Sequence, residues 1–249
     1  MTQPGFNETK WAVLFAQMEQ SVIRIETPGG QGTGFMTPSP LPGQLAIATA
    51  WHVVEHALQW QEPLRLTHHS SLKMHLFPHD QRLIIPVKDT DAALIGVSNT
   101  GGFPETAPAS LFALEGKRLR SGMAVSWCGF PGSMNWLTKE LCFFSGHIST
   151  YLPHRNSYLV DGTIPHGCSG SPVFWGKDDG TAEVIGVATA YIADIGYRGE
   201  TFPGLGEVVE IQNYNQLLKE IRQFLDGPAR ESAPDQVPPP APQVPPPRE

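Results

Sequence analysis

The sequence predicts an all-β fold of many short strands, with one helix before them and one after. Three observations carry this. Gly (25) and Pro (24) are abundant while charged residues make up only 16% of the 249, a balance that favours turns over long helices. Apolar residues come in short runs bounded by turn-forming residues, as strands do. A helical apolar period is confined to two stretches, near the start and at 211–225.

The elements follow in order. Residues 7–20 read as a helix, capped by Asn7, with Trp11, Leu14, Phe15 and Met18 at i, i+3, i+4 and i+7. Strands are expected at 21–25 and from Gly32, where Gly32 and Gly34 allow a sharp turn or bulge. A short apolar run at 45–49 ends at Ala50-Trp51-His52-Val53-Val54. Residues 61–89 alternate polar and apolar; 83–87 reads as a strand that Pro86 places at an edge or bulge. Asp89-Thr90-Asp91 leads into a buried strand at 92–97. Gly101-Gly102, Pro104 and Pro108 mark a boundary within 98–109. Further strands are expected at 123–128, 141–149, 158–161, 171–175 and 183–191. Ile211, Tyr214, Leu217, Leu218, Ile221, Phe224 and Leu225 form one apolar helical stripe, stopped by Gly227-Pro228. Nine of the 22 residues from 228 to 249 are proline, and Gln-Val-Pro-Pro-Pro occurs twice. Such a tail cannot build a core and reads as disordered or polyproline II.

Composition narrows the function classes. A net charge of −7 gives nucleic acid no electrostatic footprint. No apolar run reaches the length of a membrane-spanning helix. Met1-Thr2-Gln3-Pro4-Gly5 lacks the basic start and apolar run of a signal peptide. Cys128, Cys142 and Cys168 are an odd, sparse set that reads as reduced thiols in a cytoplasm. Cys128 and Cys142 fall on expected strands and pack as small apolar residues.

The chemistry centres on His166-Gly167-Cys168-Ser169-Gly170-Ser171-Pro172-Val173-Phe174. Glycines on both sides of a short polar pair suggest a tight turn feeding a buried strand. A nucleophilic serine needs an exposed Oγ and nearby N–H donors for the oxyanion formed on attack. It also needs a base, for which His52 stands upstream, and a carboxylate to hold the imidazole tautomer, for which Asp91 stands between them. Asp89 is a rival for the carboxylate.

The sequence resembles the trypsin-like serine proteases, in particular the bacterial branch typified by glutamyl endopeptidases and HtrA-type proteases. The resemblance runs over 21–211. It is carried by Gly32-Thr33-Gly34-Phe35, Thr49-Ala50-Trp51-His52-Val53-Val54, Asp91-Ala92-Ala93-Leu94, Gly129-Phe130-Pro131-Gly132, Ser145-Gly146-His147-Ile148-Ser149 and the segment Gly167 to Phe174, in the family's order. It implies two six-stranded antiparallel β-barrels, at 21–100 and 110–211, with the site in the cleft between them. An N-terminal helical segment (1–20), a C-terminal helix (212–227) and the Pro-rich tail (228–249) flank them. It assigns His52 as base, Asp91 as orienting carboxylate, Ser169 as nucleophile, and the N–H groups of Gly167 and Ser169 as the oxyanion hole. Cys168 stands where secreted relatives carry an activating aspartate, so activation through a new N-terminus is not expected. By the same resemblance Thr163 lies at the base of the P1 pocket, His166 at its rim, and Ala188, Thr189, Ala190 and Tyr191 along its wall. A neutral, shallow pocket of this kind favours Ala, Val or Leu.

The expected function is therefore a serine endopeptidase without cofactor or metal, acting on protein or peptide substrates in a regulated intracellular system. A regulatory partner reached through the Pro-rich tail fits this reading. Two other classes compete. His52-Val53-Val54-Glu55-His56 also reads as the H-x-x-E-H of a zinc peptidase, with the histidines as ligands and Glu55 as base. That reading needs a long helix and leaves the serine segment unexplained. A protease fold kept only for binding is the third class, but such folds usually lose a member of the triad and none is lost here. His68, His69, His75 and His79 read as a solvated, turn-rich loop.

Overall fold

The computed structural model describes residues 8–99, 102–104, 118–132, 139–195 and 201–226. The chain opens with helix α1 (Glu8–Met18) and a 3-10 turn, Glu19–Ser21. The first sheet is built from β1 (Val22–Thr27), β2 (Gly30–Thr37), β3 (Gln44–Thr49), β4 (Leu64–His68), β5 (Met74–Phe77), β6 (Arg82–Val87) and β7 (Ala92–Ser98), with helix α2 (Trp51–Gln59) after β3. The second is built from β8 (Ala124–Gly129), β9 (Cys142–Leu152), β10 (Ser157–Val160), β11 (Pro172–Gly176), β12 (Ala182–Ile195) and β13 (Thr201–Glu210), and helix α3 (Gln212–Asp226) follows. Among the described residues, no helix is long and apolar enough to cross a membrane.

The second sheet closes into a six-stranded antiparallel barrel, β10-β13-β12-β11-β8-β9. The first curls in the order β5-β4-β1-β2-β3-β7-β6 and stays open between β5 and β6. It therefore has seven strands where six were expected. Strands β4, β5 and β13 were not foreseen, for local reasons. The inward positions of β4 are Leu64, Leu66 and His68, and with a histidine in that row only two apolar residues mark a strand within the alternating stretch. In β5, Met74 and Leu76 face outward on the sheet edge. Strand β13 contains Pro203, Gly204 and Gly206, which read as a turn. Of the four histidines read as a solvated loop, His68 and His75 are not in one, whereas His69 and His79 lie in turns and His79 is exposed. His68 ends β4 and is buried, His75 lies in β5, and Phe103 packs on both rings from the segment read as a linker. Pro86 sits on β6, an edge strand, as its missing N–H requires.

The two terminal helices tie the sheets together. In α1, Leu14 and Met18 are fully buried, each side chain stabilising by roughly 1.5–3 kcal/mol relative to exposure. Gln17 donates to Gly180 O at 3.1 Å and accepts the Ala182 N–H at 2.8 Å, anchoring α1 to the start of β12. Trp11 and Phe15 flank Phe143 of β9. In α3 the apolar stripe is half used: Tyr214 is buried, Leu217, Leu218 and Ile221 pack on the core, and Phe224 and Leu225 face solvent. The segments Asn7, Gly101, Pro108 and 228–249 lie outside the described residues.

Candidate active site

His52 is the second residue of α2. The strand β3 runs straight into this helix, because Ala50 is extended (φ −76°, ψ 145°) and Trp51 begins the helical turn. Ala50 has no side chain to cap the helix. The cap comes from elsewhere: Asp91 Oδ1 accepts the His52 N–H at 3.0 Å. The other carboxylate oxygen, Oδ2, lies 2.8 Å from His52 Nδ1. Asp91 is delivered by the β6–β7 turn, in which Asp89 takes a left-handed φ of +58° and Thr90 bonds back to Val87 O through its N–H and hydroxyl. Of the two candidate carboxylates, Asp91 is the one bonded to His52.

Ser169 sits in a turn shaped by two glycines. Gly167 has φ +89° and Gly170 has φ +90°, a region that side-chain-bearing residues rarely adopt. The N–H of Cys168 donates to Pro165 O at 2.9 Å, closing a turn with positive φ at its third residue, the type II pattern. The His166 carbonyl accepts the Gly132 N–H at 2.6 Å. N–H and C=O point to opposite sides of a trans peptide, so this bond turns the Gly167 N–H away from Gly132. Among the described residues, neither the Gly167 nor the Ser169 N–H has an acceptor. The Ser169 hydroxyl donates to Thr189 O at 3.3 Å; among the described residues no hydrogen bond joins it to His52.

On the Asp91 side a cavity of about 610 Å³ opens, lined among others by Trp51, Asp91, Arg155, Thr189, Ala190 and Glu207, and not by His52 or Ser169. Thr189 and Ala190, which the resemblance assigns to the P1 wall, line this cavity, and so do Arg155 and Glu207, which the sequence did not single out. Glu207 is a buried carboxylate that accepts the Ser157 hydroxyl at 2.9 Å and Arg155 Nη2 at 2.9 Å. Thr163 and His166 are exposed and do not line this cavity, while Ala188 is buried in β12. The side chain of Tyr191 lies outside the described residues.

The rival chemistries fare differently. Burial pushes the Cys168 thiol up to about 12, the nearby Cys142 adding to the shift, so the cysteine next to Ser169 is held protonated at neutral pH. His56 Nδ1 lies 2.9 Å from Glu62, and Glu55 accepts from Gln59, so the three polar residues of His52-Val53-Val54-Glu55-His56 face three different partners on a helix of nine residues. Among the described residues, no group of three or more His, Cys, Asp or Glu is gathered to hold a metal ion.

Residues 32–187 match the family model described as "Trypsin-like peptidase domain". The chain belongs to this family. No curated protein matches the chain. Among solved structures it is similar to Rv3671c from M. tuberculosis H37Rv in an inactive serine-to-alanine form, at 18% identity and a TM-score of 0.57, over 92% of this chain and 97% of that one. It is similar to Deg5 at 21% identity and a TM-score of 0.61, over 86% of this chain and 95% of that one. An HtrA-type protease, AlgW, crystallised with a tripeptide, matches at 15% identity and a TM-score of 0.58, over 86% of this chain and 64% of that one. At such identities the likeness is one of fold. It carries the trypsin-like architecture and not the narrower glutamyl endopeptidase branch.

Proposed function

We propose that this trypsin-like peptidase domain is an active serine endopeptidase in which Ser169 is the nucleophile, His52 the base and Asp91 the carboxylate that orients it. The observation that supports the reading best is the double engagement of His52 by Asp91. With Oδ2 on Nδ1, the imidazole carries its proton on Nδ1 and leaves Nε2 free to accept. The Ser169 hydroxyl rotates from Thr189 O to His52 Nε2, and Oγ attacks the scissile carbonyl as the proton passes to Nε2. The oxyanion forms against the Gly167 and Ser169 N–H groups. Collapse breaks the C–N bond, with the same proton going to the leaving amine. Water then repeats the sequence on the acyl-enzyme and frees Ser169.

The P1 reading stays as the sequence suggests. Thr163 stands where a basic-specific relative would carry aspartate, so the neutral pocket of the resemblance favours Ala, Val or Leu at the cleaved bond. A regulated intracellular setting is supported by three cysteines that are all free thiols, with the Pro-rich tail as the segment for a regulatory partner.

A fluorophosphonate probe tests the reading. Wild-type protein should be labelled at Ser169 and Ser169→Ala should not. Failure of the folded wild-type protein to react would favour a protease fold kept for binding.

A further inference from the structure

Thr33 lies in β2, fully buried, where β2 stops pairing with β3 and meets the nucleophile turn. Its polar atoms make four bonds. The backbone N–H donates to Ser169 O at 2.9 Å. The hydroxyl donates to Gly167 O at 2.8 Å and accepts the Phe130 N–H at 3.0 Å. The carbonyl accepts the Thr49 hydroxyl at 2.7 Å. The Phe130 N–H can only donate and the Gly167 carbonyl can only accept, so the one hydroxyl proton has a single place to point.

The two carbonyls gripped by Thr33 belong to Gly167 and Ser169. These are the two residues whose N–H groups would bind the oxyanion, so the inference rests on the serine protease reading. Holding a carbonyl fixes the peptide plane that follows it. The plane before Gly167 is fixed by Gly132 through the His166 carbonyl. With both planes held, Gly167 keeps its φ of +89° and its N–H keeps one direction. The packing is equally close at the next glycine. A Cβ on Gly170 would meet Thr33 O at 1.8 Å. The Gly167 and Ser169 carbonyls are thus tied to the first sheet while the N–H groups of the same two residues are left without acceptors among the described residues.

We infer that Thr33 is a positioning residue for the oxyanion-binding turn: its hydroxyl holds the Gly167 carbonyl and its backbone N–H holds the Ser169 carbonyl, the peptide planes on either side of Cys168–Ser169, and so together they fix the direction of the Gly167 and Ser169 N–H donors. Preorganised donors act on the transition state and not on the bound substrate. Loss of the clamp should therefore lower kcat and leave KM nearly unchanged.

The test compares wild type with Thr33→Ser, Thr33→Val and Thr33→Ala in peptide hydrolysis, probe labelling and amide hydrogen exchange. Removing one oxyanion donor outright costs about 10²–10³ in kcat, so freeing the Gly167 carbonyl while the backbone bond to Ser169 O remains should cost roughly 10–100-fold in Thr33→Val and Thr33→Ala. KM should shift by less than about 3-fold, and Thr33→Ser, which keeps the hydroxyl, should stay within about 3-fold of wild type. Exchange at Cys168, Gly170 and Ser171, whose amides are bonded within or beside the turn, should quicken in Thr33→Val. A near-wild-type kcat in Thr33→Val, or a Thr33→Ser as impaired as Thr33→Val, overturns the proposal. So does failure of both Thr33→Val and Thr33→Ala to fold while Thr33→Ser folds, which leaves a structural role alone. If folded wild-type protein neither cleaves nor labels, the protease reading fails on its own. The exchange data then judge the clamp: unchanged protection at the turn in Thr33→Val overturns it.

Discussion

Asp91 holds His52 at two points, with Oδ2 2.8 Å from the imidazole Nδ1 and Oδ1 3.0 Å from the His52 backbone N–H. One carboxylate therefore caps helix α2 and fixes the ring. The first N–H groups of a helix lack internal partners and favour negative charge, so the site geometry and the helix start are a single arrangement. Asp91→Asn can keep the backbone contact through its amide oxygen but turns an NH₂ toward Nδ1, which imposes the wrong tautomer. Under the proposed mechanism, kcat should fall by roughly 10⁴-fold in Asp91→Asn, with similar or larger losses in Ser169→Ala and His52→Ala and weak additivity among them. Asp89→Asn should stay near wild type. The reverse pattern for Asp89 and Asp91 would overturn the assignment.

The neighbouring thiol gives a second check. Cys168 is buried and its thiol is pushed up to about 12. Thiolate is the reactive form. Native protein at neutral pH should therefore resist iodoacetamide at Cys168, and Cys168→Ala should retain labelling by fluorophosphonate. Rapid alkylation of Cys168 that abolishes peptide hydrolysis would move the nucleophile to the cysteine.

His68 predicts an acid-side loss of stability. The Ser71 N–H donates to Nδ1 at 3.2 Å, and Nε2 lies 2.8 Å from Gln20 O, an arrangement that suits the neutral ring with its proton on Nε2. Burial holds the folded pKa below the ordinary 6.5; the bond to Gln20 O pushes it back up and the charge of neighbouring His69 lowers it further. His69 itself lies 3.9 Å from Glu19. The unfolded chain then binds more protons than the folded one, so the His68 contribution is present above about pH 6.5 and is lost as pH falls toward the lowered folded value. Thermal melts between about pH 7.5 and about pH 5 should show Tm falling more steeply in wild type than in His68→Gln. Equal slopes would remove His68 as the cause.

Tyr214 predicts that α3 is part of the fold. Its buried hydroxyl donates to Thr49 O, three residues before His52. Tyr214→Phe leaves that carbonyl without this donor and should cost about 1–3 kcal/mol in chemical denaturation. A loss below about 0.5 kcal/mol would show that Thr49 O is satisfied some other way.

Much of the site was legible in the chain because turn chemistry is local. Gly167-Cys168-Ser169-Gly170 announces a turn that needs positive φ, and Gly167 and Gly170 adopt it. The α1 and α3 stripes were legible for the same reason, since a helix buries residues at a fixed short spacing. Strands β4, β5 and β13 were not, because their local pattern is weak or turn-like and their strand state rests on pairing with residues far along the sequence. His68 bonds to Gln20 O, 48 positions away, and the turn-like Gly206 of β13 pairs with Tyr191 and Val160.

By itself the sequence determined the β-rich class, the two flanking helices, the order of the short motifs and the family they resemble, because each of these is written in spacings of a few residues. Only the tertiary structure decided that the first sheet has seven strands and stays open, that Asp91 reaches His52 at both its ring and its backbone N–H, that Glu207 and Arg155 line the cavity beside Asp91, and that Thr33 grips the turn around Ser169. Hydrogen bonds and strand pairing join residues by distance in space. Thr33 and Gly167 are 134 positions apart in the chain, and only folding brings them together.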